Sequence, residues 1–435
     1  MKKLSIRSKK AKRTLALFLA FILIFSSFSS SAARKNNKVQ NLSSDVKATE
    51  CKGTKLKKTE ARRLTAASIN LLNNSIQDSD ENQNVLISPV SIMYAFGMAE
   101  NGARGKTRSQ MEDIIFNGNK TADTNNTMCR LMNKMESDKN VKWNIANSIW
   151  IKNRKDVKVK KSYLKKAKTY YDAEVYKAPF NSATAKSMNK WVKKNTHKMI
   201  PHIIDEFSGD EVMFLINAMA FEAQWAKAFE DNYIEKNYTF TNLDSSTKKV
   251  KMLKEYGGGY FELNGAYGFK KYYKGGSYAF VGIEMPDGVK PADYISELSR
   301  NPAAFNKQVS NMKYDKDVTI RMPEFKSEYD IEMSETLKRM GVTKAFDRRN
   351  ANLYNMFKKD PGYNYYFSKV LHKTYIEVDK NGTKAAAVTA IIIDKAGVSI
   401  KEREKLDITL DHPFVYAIVD TKTNLPIFIG CINTL

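Results

Sequence analysis

An α+β fold is predicted for this chain of 435 residues, on three observations. Apolar residues recur at helical spacing mainly in the first half, period-two apolar runs crowd the second half, and neither a βαβ alternation nor an internal repeat is present. In chain order, helical spacing predicts helices over 59–74, 91–99, 107–115, 162–171, 184–196 and 333–340. Runs rich in β-branched and aromatic residues predict strands over 142–151, 212–221, 278–285, 318–322, 365–378, 414–420 and 427–432. The chain is long enough to bury a large core.

The amino-terminal end has a different composition. Met1 to Arg13 carry seven Lys or Arg and no acid, Leu15 to Phe25 are apolar, and Ser31-Ala32-Ala33 offers small residues for cleavage. Together these make a secretory signal over 1–33, and the apolar run is short for a membrane span. Residues 34–58 are rich in Asn, Lys, Ser and Thr with few apolar groups, so they read as a flexible basic tether. A single domain over 59–435 follows. Cys51, Cys129 and Cys431 give neither a disulfide framework nor a zinc spacing, so the fold is expected to rest on its core, with no metal site.

Catalytic and cofactor signatures are missing from the sequence. It holds no phosphate-binding glycine loop, no His-Glu-x-x-His and no Gly-x-Ser-x-Gly elbow, and none of its four histidines stands beside a nucleophile signature. No enzyme activity and no cofactor are therefore expected. The formal charge is +25, with cations clustered at 248–251 and along 161–168. They read first as a solvated surface, with an anionic polymer as the alternative partner. Their dispersal argues against nucleic acid.

One segment combines strand periodicity with the composition of a loop. From Gly382, alternate residues present Thr383, Ala385, Ala387, Thr389, Ile391 and Ile393 on one face, small first and bulky later. Gly382 supplies a permissive backbone at the start, and Ala386 lies among the small residues that follow. Small inward side chains would let such a segment slide between two existing strands. Beyond it, 394–399 is polar, small and cleavable.

Here the chain resembles the serpin family. Asn84-Val85-Leu86-Ile87-Ser88-Pro89-Val90-Ser91-Ile92 is similar to the family's first core motif, and Asn217-Ala218-Met219-Ala220-Phe221-Glu222-Ala223-Gln224-Trp225 to its central-sheet signature. Met322-Pro323-Glu324-Phe325-Lys326, His412-Pro413-Phe414-Val415-Tyr416 and Pro426-Ile427-Phe428-Ile429-Gly430 follow in family order. The resemblance implies helices around a large central β-sheet, two smaller sheets and an exposed reactive-centre loop over about 380–411. It implies a secreted, bacterial, monomeric inhibitor of an extracellular serine protease, trapped as an acyl-enzyme when the cleaved loop enters the sheet. A carrier or chaperone without inhibitory action is the alternative.

Counting from Gly382 as the family does puts the reactive bond between Ala396 and Gly397, which suits an elastase-like or subtilisin-like enzyme. Lys395 would suit a trypsin-like one, and the extra residues 401–406 make Arg403 a further candidate. The resemblance also implies that Ser88, Ser91, Asn217 and His372 meet beneath the central strands, with Trp225 near the loop's entry point. Lastly, the family's Glu before the hinge and Lys after the Pro are here Lys380 and Glu324. An inverted salt bridge between these two is expected.

Overall fold

The computed structural model describes residues 38–154, 157–358, 364–383 and 403–435. Strands numbered along the chain form three sheets. The largest has the order β1 (Gln40–Asn41), β4 (Glu174–Ala178), β3 (Val141–Lys152), β5 (Met213–Gln224), β14 (Gly382–Thr383), β13 (Lys369–Asp379) and β12 (Phe325–Glu332). A second joins β2 (Val85–Ile87), β17 (Pro426–Ile432), β16 (Phe414–Asp420), β10 (Tyr278–Glu284), β9 (Ala266–Tyr272) and β8 (Tyr260–Leu263). A third joins β15 (Lys405–Thr409), β11 (Asp317–Pro323), β7 (Thr247–Tyr256) and β6 (Ile234–Thr241).

The core lies between the first two sheets and runs under the helices. Helix Pro89–Gly102 is buried at every position, as expected of a helix that is apolar almost all round. Its start is fixed by Pro89 in the first turn and by the Ser88 side chain, which accepts from Ser91 N. This helix packs on both β5 and β17. It therefore holds the central sheet against the second one.

All six predicted helices and seven predicted strands correspond to elements of the structure, with shifted ends. Helix 59–74 extends to Lys58–Gln77, and the strand predicted over 365–378 begins only at Lys369. Among the described residues, three helices were not predicted: Thr121–Ser137, Pro291–Arg300 and Ala303–Ser310. The first opens on Thr, Asp and Asn, which favour turns over helix interiors. Its buried Met128, Leu131, Met132 and Met135 carry the helical spacing that overrides those propensities.

The flexible tether over 34–58 needs correction across its described part. Strand β1 pairs antiparallel with β4, and Leu42 N donates to Val175 O at 2.8 Å. Asn41 Nδ2 reaches Glu174 Oε1 at 2.8 Å, and Asn133 Nδ2 reaches Cys51 O at 2.7 Å. Nor is the fold without a disulfide, because Cys51 and Cys129 are bonded across a separation of 78 residues. Composition misled here for a physical reason. The segment has little apolar surface, but an open sheet edge offers backbone partners to any extended chain, and the crosslink holds it there. Cys431 is the free thiol, buried, with its pKa pushed up to about 12 by that burial.

Candidate functional site where two central strands part

Strands β5 and β13 run parallel and are paired directly from Phe214–Lys369 to Ala220–Tyr375. Past that point they separate and β14 lies between them, antiparallel to both. Gly382 faces Gln224 and Asp379, and Thr383 faces Ala223 and Val378. The approach is too close for a side chain at the first position. A Cβ on Gly382 would stand 2.1 Å from Ala223 O.

Several groups fasten this entry point. Asp379 Oδ1 accepts from Asn381 N at 2.7 Å and Gly382 N at 3.0 Å, closing the turn that leads into β14. Trp225 N donates to Asn381 O, and Trp225 Nε1 to Asp379 O, both at 2.9 Å. The Trp225 ring stacks on Tyr273 with centroids 4.5 Å apart. The Tyr273 hydroxyl in turn lies 2.6 Å from Thr383 Oγ1. Lys271 is buried against Glu255 at 2.5 Å, with its ammonium 4.0 Å from the Phe229 ring centre. Tyr273, Asp379 and Lys271 escaped the sequence reading; the adjacent Lys271-Tyr272-Tyr273 triplet carries no spacing that marks it.

Below the parting, three polar residues form one row across three strands: Asn147 on β3, Asn217 on β5 and His372 on β13 are register partners. His372 Nδ1 lies 2.7 Å from Asn217 Oδ1, and Ser88 N donates to His372 Nε2 at 3.2 Å. Since Nε2 accepts, Nδ1 carries the proton and the ring is neutral. Burial agrees, pushing the imidazole down to about 3. Asn217 Nδ2 is within reach of Ser91 O at 2.7 Å and Asn147 Oδ1 at 2.6 Å. Ser88 Oγ donates to Ile427 O at 2.8 Å. The row thus ties β3, β5 and β13 to the helix start and to β17. Ser88, Ser91, Asn217 and His372 are brought together, and Trp225 sits apart from them at the entry point. Asn147 was missed: with Asn144 and Ser148 close by in sequence, nothing singles it out as the buried polar partner.

The inverted salt bridge is not formed. Lys380 pairs with Asp231 at 2.5 Å, while Glu324 pairs with Lys251 at 3.2 Å. The backbone explains the difference. Phe229 N donates to Lys380 O, which draws the turn toward 229–231, whereas Glu324 N donates to Lys251 O and holds Glu324 on the edge of β7. Ala385, Ala386, Ala387, Ala396 and Gly397 lie outside the described residues.

Strand β14 thus lies between β5 and β13, which are otherwise paired in parallel. Comparison with known proteins shows the family. Residues 62–434 match the family model described as Serpin (serine protease inhibitor), and the chain belongs to the serpin family. It is 29% identical to mouse neuroserpin over 385 residues, covering 84% of this chain and 90% of that protein. The thermophilic serpin tengpin in its native state is similar over 92% of this chain and all of its own, with 36% identity and a TM-score of 0.83. Against tengpin in its latent state the TM-score is 0.74, at 34% identity and over 88% of this chain.

Proposed function

We propose that this serpin is a secreted, inhibitory, monomeric suicide substrate for an extracellular serine endopeptidase of elastase-like or subtilisin-like specificity. The observation that carries the reading is β14. Gly382 and Thr383 already occupy the first rungs between β5 and β13, and the residues that follow in sequence are Lys384, Ala385, Ala386 and Ala387. Continued entry would replace one parallel ladder of seven register pairs by two antiparallel ones. A net gain of roughly seven hydrogen bonds at about 1 kcal/mol each amounts to ~7 kcal/mol, comparable to the ~5–15 kcal/mol stability of a domain. The higher TM-score with native than with latent tengpin supports reading the described state as the one before insertion.

In the reaction, the protease serine attacks the Ala396 carbonyl carbon. The bond to Gly397 breaks, Gly397 leaves as an amine taking the proton, and Ala396 stays esterified to the enzyme. Insertion of 384–396 would then carry the enzyme away before water completes hydrolysis. Arg403 does not favour a bond at its own position, because its guanidinium holds Tyr314 O at 3.2 Å and Glu404 O already accepts from Asp317 N. The disulfide supports export, since such bonds persist in oxidising compartments. A cavity of about 850 Å³ bordered by Lys55, Lys58, Lys134, Lys139 and Lys422 supports an anionic polymer as second partner. Incubation with subtilisin and with elastase tests the reading. An SDS-stable complex and a released peptide beginning at Gly397 are expected, whereas cleavage without a complex would refute inhibition.

A further inference from the structure

At the other end of the central sheet from Trp225, where β5 and β13 begin, the seam between these two strands is stitched by a few contacts. Val212 N donates to Ser368 Oγ at 2.9 Å and Ser368 N to Met213 O at 2.8 Å. Buried Glu211 accepts from Ser208 N and Gly209 N and reaches across the seam to Lys369 at 3.8 Å. Beside these contacts opens a cavity of about 180 Å³ whose charged and polar lining comes from Lys152, Arg154, Asp210, Arg348, Asn364 and Tyr366.

The cavity straddles the seam. On the β5 side, Lys152 N donates to Val212 O at 2.9 Å and Lys152 Nζ to Gly209 O at 2.6 Å. On the β13 side, Asn364 Nδ2 donates to Arg348 O at 2.8 Å, which ties Arg348 to the segment leading into β13. Three cations against the carboxylate of Asp210 leave the lining with a formal charge of +2. Guanidinium forks match the geometry of phosphate oxygens, and the Tyr366 hydroxyl and Asn364 amide add neutral polar groups. Since about 10–15 Å³ of such space admits one water, a phosphate and several waters fit.

The sheet register shows what else would arrive here. Thr383 faces Ala223 on β5 and Val378 on β13, and each further inserted residue would step one place down both strands. Thirteen places on, Ala396 would face Asp210 and Tyr365, between the two walls of the cavity. We propose that this cavity binds a small tetrahedral oxyanion of the phosphate type, and that the anion competes with the last residues of the inserting loop. The inference rests on the function proposed above, because it takes the loop to be cut after Ala396. A new strand would part β5 and β13 by one further spacing of about 4.8 Å. It would draw Lys152 and Asp210 away from Arg348 and Tyr366 and fill the gap with backbone. An anion held across the seam keeps the walls together. At ten times its Kd, a ligand of the uninserted state alone shifts the balance against insertion about elevenfold.

The test titrates inorganic phosphate into the full chain, against chloride at equal ionic strength, and follows the phosphorus NMR line width. Saturable binding is expected, with Kd at least tenfold weaker in Arg348→Gln and in Lys152→Gln and unchanged in Lys248→Ala on β7. In saturating phosphate, the number of inhibitor molecules consumed per subtilisin inactivated should at least double for the parent and stay constant for Arg348→Gln. The variant decides, because such oxyanions also stabilise folded chains in general by exclusion from their surface. The absence of saturable binding, or equal Kd in the parent and Arg348→Gln, overturns the site. A chain cut in its loop and made more heat-stable by insertion should no longer bind phosphate, and retained binding there overturns the competition. A cut chain that gains no heat stability and still binds phosphate would refute the inhibitory reading and leave the anion site standing.

Discussion

His372 is neutral because Ser88 N occupies its Nε2 and Asn217 Oδ1 its Nδ1–H, and a proton added to Nε2 would break the first of these bonds. With the folded pKa down at about 3 against about 6.5 in an unfolded chain, the unfolded state binds more protons between those values. Stability of the uninserted state therefore falls as pH falls through that window. Spontaneous conversion to an inactive, more heat-stable form should be several-fold faster at pH 4.5 than at pH 7, followed by loss of inhibitory activity. Replacing His372 by Gln should abolish that acceleration, and an unchanged pH dependence in the variant would contradict the assignment. Glu100 has the opposite sign. Burial raises its carboxyl to about 8, so the folded state holds a proton that the unfolded chain releases above about 4.5. Resistance to thermal unfolding should decline from pH 5 to pH 8, and Glu100→Gln should flatten the decline.

At the level of elements, two attachments set the behaviour of the central sheet's ends. The Cys51–Cys129 bond closes a loop of 78 residues, for which the chain-entropy model gives about 4–5 kcal/mol and experience about 2–4. Cys51→Ser should lower the thermal transition by several degrees and release the β1 edge, seen as faster amide exchange at Leu42 and Val175. At the other end, Lys380 belongs to Asp231. An exposed pair contributes about 0–1 kcal/mol, so a double-mutant cycle on insertion rate should show coupling for Lys380 with Asp231 and additivity for Lys380 with Glu324.

These elements also show what the sequence could disclose. Strands β16 and β17, apolar but for Asp420, and the helix 89–102, apolar but for Ser91, Glu100 and Asn101, were legible because burial on every side leaves a nearly continuous signal. The polar row was legible in part, because Ser88, Ser91 and Asn217 sit in recognisable motifs and the resemblance places His372 with them; Asn147 sits in none. The bond between Cys51 and Cys129 was not legible, since pairing distant cysteines requires knowing that β1 docks on β4. The Lys380 pairing failed for a related reason: charge swapping along the chain says nothing of which neighbour the backbone draws closer, and Phe229 N decides that.

On the proposed function, the whole molecule is metastable, kept by the Asn147–Asn217–His372 row and the Trp225 anchorage from completing its own sheet. Stability then resides partly in a kinetic barrier. The most direct measurement is thermal unfolding of the chain before and after its loop is cut between residues 384 and 402 by a protease that it does not trap. Insertion worth ~7 kcal/mol corresponds to a rise in Tm of roughly 9 °C for a domain of this size, with new amide protection on β5 at residues preceding Ala223 and on β13 at residues preceding Val378. A cut chain that melts at or below the temperature of the intact one, with no added protection there, would contradict the account.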